Sequence, residues 1–428
     1  MNPSSSWRLA RHLRTPLLAV AVAALMQPAF AQPAPLALDQ AVQTATARSR
    51  LVTAADAQTR AAREMAVAAG RLPDPVLKLS LTNLPVDGPD RFSTTSDFMT
   101  MRSVGLMQEI TRGDKRAART QRAEREVEAT RLARQLTIAE LQRDTALAWL
   151  ERSFQESVGE LLLAQIAQAE LQAQAAQTLY ATAKGTQADV FAARGQVELL
   201  RDRLAQTERQ IAVATTQLAR WVGADALVAI APRPVLTLPA WTQGDLTPHL
   251  SEHPMIAAIA QHEALADSDA ALARAAQQAD WSVEVMYSQR GSAYSNMMSV
   301  YLTVPLQWDA ANRQDRELSA RQAGVAQARA RLEDAARAHD AEVRAMLQEW
   351  ASDDARLRRF DTALLPLAEQ RSAAALTAYR GGSGALTAVL EARRNELDLR
   401  TDRARLELER ARLWAQLNYL QPAPETAP

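Results

Sequence analysis

The stretch "SVYLTVPLQWDAAN", Ser299–Asn312, sets apolar Val300, Leu302, Val304 and Leu306 in alternation with Ser299, Tyr301, Thr303 and Pro305. That is the period of a β-strand with one apolar face. On either side the chain is instead rich in Ala, Leu, Gln, Arg and Glu, the vocabulary of helices. The same alternation appears in Leu77, Leu79, Leu81 and in Trp281, Val283, Val285, Tyr287. A poorer version lies around Met99–Ile110: Val104, Leu106 and Ile110 keep phase, Arg102 falls on the apolar side and Gln108 interrupts it. Strands are therefore predicted at about 75–84, 99–110, 280–288 and 298–307, as two hairpins inside a mainly helical chain.

The hairpins belong to a duplication. "LYATAKGTQADVFAARGQ" (Leu179–Gln196) recurs as "AYRGGSGALTAVLEARRN" (Ala378–Asn395), with Tyr180 over Tyr379, Gly185 over Gly384, Val190 over Val389 and Arg194 over Arg393. Upstream, "SVGLMQEITRGDKR" (Ser103–Arg116) lies over "SVYLTVPLQWDAANR" (Ser299–Arg313), with a small slip in offset. A unit of about 200 residues is far longer than a solenoid repeat; it is a duplicated half-molecule. The expected organisation is a first repeat at 32–230, a Pro-rich linker at 231–248, a second repeat at 249–420 and a tail at 421–428. Each half reads helix, strand, loop, strand, very long helix, small-residue turn, helix. The opening helix of the first half is predicted from about Leu38 to Gly70, where "LPDP" stops it. From Asp114 to Tyr180 there is no proline and only Gly159 among the glycines, enough chain for a helix of about 100 Å. Such a helix needs a coiled-coil-like partner along its length.

Composition narrows the function. Formal charge is zero, so nothing points to nucleic acid, and aromatics are only 5% while 47% is apolar, mostly Ala and Leu. With no cysteine, disulfides, thiolate metal sites, a cysteine nucleophile and a lipidated N-terminal cysteine are excluded. Residues 1–31 read as a signal peptide: basic Arg8, Arg11 and Arg14, an apolar "LLAVAVAALM" (Leu17–Met26) and a small-residue "AFA" (Ala29–Ala31) before the cleavage point. No later stretch approaches the length of a spanning helix.

Two destinations are open to the apolar strand faces. They can pack onto the protein's own helices, or they can meet lipid in an outer-membrane barrel whose other face lines water. Four strands cannot close a barrel; two chains would supply eight and three would supply twelve. Leu77, Leu79, Leu81, Val283, Val285, Val300, Leu302 and Val304 would then face the membrane, with Trp281 and Trp308 at the helix-side boundary.

The order of these features, with the turn phrases "YATAKGTQADVFAAR" and "YRGGSGALTAVLEARR", resembles the TolC-type outer-membrane efflux family over nearly the whole mature chain. The resemblance implies a homotrimer in the outer membrane, with a twelve-stranded β-barrel above a large periplasmic tunnel of coiled-coil helices. It implies no enzyme, no catalytic residue, no metal site and no cofactor. It implies partners: a periplasmic adaptor and a proton-driven inner-membrane pump of the resistance–nodulation–division (RND) type. The tips that meet the adaptor would be Ala183, Lys184, Gly185, Thr186 and Gln187, and Gly382, Ser383, Gly384 and Ala385. Small residues there suit a tight reversal and close backbone approach, though two ordinary helix-hairpin turns would need the same glycines. Asp189 matches an acid and Tyr379 a tyrosine of the family's entrance network; where the archetype carries arginine this chain has Gly384, leaving Arg380 or Glu391 for that task. "LPDPVLKLSLTNLP" and "QEITRGDKRAAR" resemble the heavy-metal branch, which implies export of copper, silver, cobalt, zinc or cadmium. A duct for drugs or for type I protein secretion is the alternative within the family, and a soluble periplasmic coiled-coil scaffold is the alternative outside it.

Two further motifs have the residue types of a metal site. "HLSEH" (His249–His253) fits H-x-x-E-H, but zinc chemistry needs both histidines on one helix, and Pro254 pushes His253 out of the α region. Met99, Met101, Met107, Met286, Met297 and Met298 lie in or beside strands and could offer soft thioethers to Cu(I) or Ag(I), although plain apolar strand positions account for them.

Overall fold

A computed structural model describes residues 34–423. The predicted signal peptide lies outside the described residues, as does most of the predicted tail. The first half comprises α1 (Leu38–Arg48), α2 (Arg50–Ala69), β1 (Val76–Thr82), β2 (Met101–Ile110), α3 (Gly113–Ala181) and α4 (Gln187–Val222). A linker with the short helix α5 (Thr247–Ser251) leads into α6 (Pro254–Ala275), β3 (Trp281–Gln289), β4 (Met297–Thr303), α7 (Gln314–Arg359), α8 (Leu365–Arg380) and α9 (Leu386–Asn418).

Three boundaries differ from the sequence reading, each for a local reason. The opening helix is two helices: Ser49 leaves the α region (ψ 120°) and its hydroxyl accepts the Val52 amide as the N-cap of α2. The second β-strand begins at Met101 rather than Met99, because the Asp97 carboxylate takes the amides of Met99 and Thr100 into a turn. The last strand ends at Thr303, so Val304, named with the membrane-facing positions, lies just beyond it. Pro305 has no amide hydrogen to continue a ladder there.

The long helix of the first half is a single 69-residue element. Its counterpart carries Pro366, whose ring and missing amide cannot be fitted into an unbroken α-helix. A π-turn at Phe360–Leu364 absorbs the mismatch and separates α7 from α8.

The sheet is antiparallel in the order β1-β2-β3-β4, so the two hairpins lie side by side through β2 and β3. Its register aligns the apolar positions in rows. Leu77 faces Leu106, Leu106 faces Val285 and Val285 faces Val300; the next row is Leu79, Val104, Tyr287 and Met298. The two residues that spoiled the sequence pattern occupy the rows toward opposite ends. Arg102 pairs with Leu81 and Gln289 at the loop end, and its guanidinium donates to the Arg290 carbonyl. Gln108 pairs with Val283 beside the Ile110–Trp281 row, and its amide donates to the carbonyls of Pro73 and Glu109. The apolar face is not covered by the chain's own helices: Leu79 is 75% exposed and Val300 67%. On the other face Lys78 reaches across Gly105 to Glu284, and Ser103 and Ser288 share a buried hydrogen bond of 2.8 Å. A Cβ at Gly105 would come within 3.1 Å of the Val285 carbonyl, so glycine lets the strands close up beneath that ion pair.

The main core lies midway along the long helices. Fully buried Trp149 and Leu150 of α3 pack with Leu218 and Val222 of α4, Ala41 and Val42 of α1, and Ala411 and Ala415 of α9. The Trp149 indole donates to the Leu36 carbonyl (2.9 Å), and the Arg152 guanidinium donates to the carbonyls of Ala226 and Val228. A parallel bridge joins Leu36 to Ile230. The indole of Trp414 holds the linker at the Thr237 carbonyl, 2.9 Å away. These bonds strap the ends of both repeats around the helices. No helix among the described residues is long and apolar enough to cross a membrane.

Candidate functional site at the helical tips

The turns between α3 and α4 and between α8 and α9 solve one geometric problem with two sets of residues. Each must reverse a long helix within five residues. Ala183 adopts φ 57°, and its partner in the repeat, Gly382, adopts φ 76°. Both occupy the left-handed conformation that ends helices, with the Ala183 and Gly382 amides donating to Tyr180 and Tyr379. An alanine is strained there and a glycine is not. Gly185 and Gly384 follow in equivalent places, packed against the preceding helix turn: a Cβ on Gly384 would meet the Ala378 methyl at 3.0 Å.

The helices then begin differently. The Thr186 hydroxyl accepts the Asp189 amide (3.1 Å), while the Asp189 carboxylate accepts the Thr186 amide (3.2 Å) and hydroxyl (2.7 Å). This capping box fixes the first turn of α4. The equivalent positions in the second repeat are Ala385 and Ala388, and α9 starts without a side-chain cap. It is seated by packing instead: Leu386 and Val389 of α9 are buried with Val190 and Ala193 of α4 and Ala176 of α3.

The two tips lie side by side around a groove of about 1180 Å³. Lys184, Gly185, Thr186, Gly384 and Ala385 all border it, as do Asp189, Tyr379 and Arg380. Burial raises the pKa of the half-buried Tyr379 hydroxyl, and the negative charge of Asp189 raises it further. The fold thus brings Asp189 and Tyr379 together from opposite repeats. Glu391 is not at the groove; the buried side of α9 carries Leu386, Val389 and Ala392, and Glu391 is exposed on another side. The sequence reading passed over the Thr186–Asp189 box, although its T-x-x-D spacing carries the signal, and it passed over Leu386 and Val389, whose three-residue spacing marks a buried face.

The two histidines of "HLSEH" point to different neighbours. His249 stacks near Trp241 (ring centroids 6.0 Å), whereas His253 caps α6 and lies 4.5 Å from the ring of His339. Among the described residues no group of three or more His, Cys, Asp or Glu side chains could hold a metal. Of the strand methionines, Met101, Met107, Met286 and Met297 share the face opposite the apolar rows, Met298 sits within those rows, and Met99 lies outside the sheet.

Comparison with known proteins places this architecture. Residues 41–224 match the family described as outer membrane efflux protein. No curated protein matches the chain by sequence. The solved structure of CusC has the same fold, with a TM-score of 0.77 at 16% identity over 90% of this chain and 92% of that one. VceC of Vibrio cholerae gives 0.73 at 19% identity, covering 90% of this chain and 95% of that one. The CmeC outer membrane channel of Campylobacter jejuni gives 0.74 at 12%, covering 91% and 87%. The first repeat thus carries the match to the outer membrane efflux protein family, and the duplicated helix–hairpin–helix fold of the whole chain is the one these solved proteins share.

Proposed function

We propose that three copies of this chain close one twelve-stranded barrel and form a passive exit duct of a tripartite efflux pump. The observation that carries this reading is the sheet. It presents an aligned apolar face to the exterior, and β1 and β4 each have one strand neighbour among the described residues. An unpaired edge in hydrocarbon leaves backbone groups unsatisfied at several kcal/mol each, in order of magnitude, so β4 of one copy is expected to pair with β1 of the next. The duct catalyses nothing, and energy comes from an inner-membrane proton-driven pump of the RND type through a periplasmic adaptor. Adaptor contact falls at 183–187 and 382–385, and Asp189, Tyr379 and Arg380 at the groove are the candidate entrance network. Glu391, away from the groove, is the weaker candidate. Heavy-metal cations are the proposed cargo, on the resemblance of "LPDPVLKLSLTNLP" and "QEITRGDKRAAR"; the pump rather than the duct would select them.

The chain has no cysteine, which makes the assembly test clean. Single cysteines scanned along β1, combined with one on β4, should yield disulfide-linked trimers in membranes for pairs in register. A detergent-free soluble monomer, or no cross-linking for any pair, would remove the duct reading. For the cargo, deletion of the gene should lower tolerance to copper, silver, cobalt, zinc or cadmium. Unchanged metal tolerance with raised drug sensitivity would replace that cargo with drugs.

A further inference from the structure

His253 and His339 are 86 positions apart and meet face to face inside the protein. Their ring centroids are 4.5 Å apart with planes inclined by 31°, and the residues are 7% and 3% exposed. They sit where four elements converge: the linker with α5, the first turn of α6, the middle of α7 and the end of α9. Leu246 and Leu250 of that linker pack on Val343 of α7 and Leu417 of α9 in the adjoining core. His253 is fully engaged as a neutral ring, accepting the Met255 amide at Nδ1 (3.3 Å) and bonding to the Leu420 backbone. His339 is not: both of its ring nitrogens are buried without a hydrogen-bond partner. A protonated imidazolium at either place would bring a charge into this interior, and the second ring would repel it if charged too.

We propose that this histidine pair is an acid-sensitive latch, whose protonation releases the linker corner and the first turn of α6 from α7 and the end of α9. The charged groups around it compensate only in part, chiefly through Glu342. From α7, Asp340 is held by Arg344 (2.8 Å), and Glu342, itself largely exposed, lies 3.8 Å from His339 Nδ1. From α5, His249 is turned to Trp241. The first turn of α6 offers only Pro254, Met255 and Ile256, and the end of α9 offers the Leu420 backbone. Burial outweighs the pull of Glu342 and Asp340, so the pKa of His339 falls. Burial and the neighbouring ring bring His253 down to about 4 from 6.5.

The sign follows from linkage. The open state binds more protons than the closed state between about pH 6.5 and 4, so the closed state is fully favoured above that window and loses ground as pH falls through it. From His253 alone the opening equilibrium should rise about 30-fold between pH 7.5 and pH 5.

Amide hydrogen exchange of residues 246–256, corrected for intrinsic rates, reads this opening in the full-length assembly in detergent. The expected result is a rise of that order in the wild type. His253→Asn keeps an acceptor for the Met255 amide and does not titrate, so the rise there should shrink at least several-fold; His253→Asn combined with His339→Phe, which keeps a ring, should leave a rise of about threefold or less. A wild-type rise already that small, or one unchanged in both variants, overturns the latch. If neither variant folds, histidine C2 exchange in the wild type decides: both rings should titrate below 6.5, and a value at or above 6.5 for either refutes the proposal.

Discussion

Replacing Val300 by arginine asks the membrane question directly. Val300 lies in the row Leu77–Leu106–Val285–Val300, which is aliphatic on all four strands. The lowest row on that face holds Trp281, four residues before Val285 on β3. At about 3.4 Å per residue and a strand tilt near 40°, those four steps raise the row by about 10 Å. The apolar band of such barrels is about 25 Å tall, so a row about 10 Å above an aromatic girdle sits near the midplane. Arginine there costs about 2–4 kcal/mol per copy, and a trimer carries it three times. Ser299→Arg, one residue away and on the opposite face, should cost little, because that face already carries Lys78 and Glu284. The assay is refolding of the full chain into lipid vesicles, with urea titration of the inserted assembly and membrane fractionation from cells. Val300→Arg should insert poorly and shift the urea midpoint strongly, while Ser299→Arg should stay near wild type. Equal behaviour of the two variants would refute a lipid-facing row, and a soluble, stable Val300→Arg protein would favour the scaffold reading.

Other expectations are local. Ala183→Gly should stabilise the first tip by up to about 1 kcal/mol and Gly382→Ala should destabilise the second by a similar amount, read as opposite shifts in amide exchange at the two turns. Thr186→Ala removes the capping box and should cost about 1 kcal/mol, with fraying confined to the first turn of α4; fraying of α9 as well would mean the tips are more tightly coupled than their packing suggests. Trp149→Ala leaves a cavity in the main core and removes one of the two donors to the Leu36 carbonyl, the other being the Ala231 amide, so denaturation should report a loss of about 3–5 kcal/mol; an effect under 1 kcal/mol would contradict the strap described for the core.

Much of the architecture was legible because it rests on short-range pattern. Period-2 alternation located all four strands, since a strand with one buried or lipid-facing side must repeat every second residue. Leu179–Gln196 over Ala378–Asn395 disclosed the duplication, and the absence of proline from Asp114 to Tyr180 disclosed a helix that the structure extends only to Gly113 and Ala181. The break at Ser49 was less visible, because a serine inside an amphipathic run is tolerated in a helix and becomes a cap only when the next helix packs at a new angle. The π-turn was likewise hidden: Pro366 signals a disturbance, but packing decides whether the chain stops, kinks or adds a residue to the turn.

What the sequence determined by itself is therefore the set of elements, their repetition and their apolar faces, since these follow from residues within a turn or a strand of one another. Tertiary structure alone decided which rows align across β2 and β3, placing Arg102 and Gln108 toward the two ends of the sheet, where each side chain donates to at least one backbone carbonyl. It decided that Asp189 and Tyr379 meet across the two tips while Glu391 does not. It also paired His253 with His339, which no spacing could announce. Each of these depends on contacts between residues far apart in the chain, and such contacts leave no periodic trace in a single sequence.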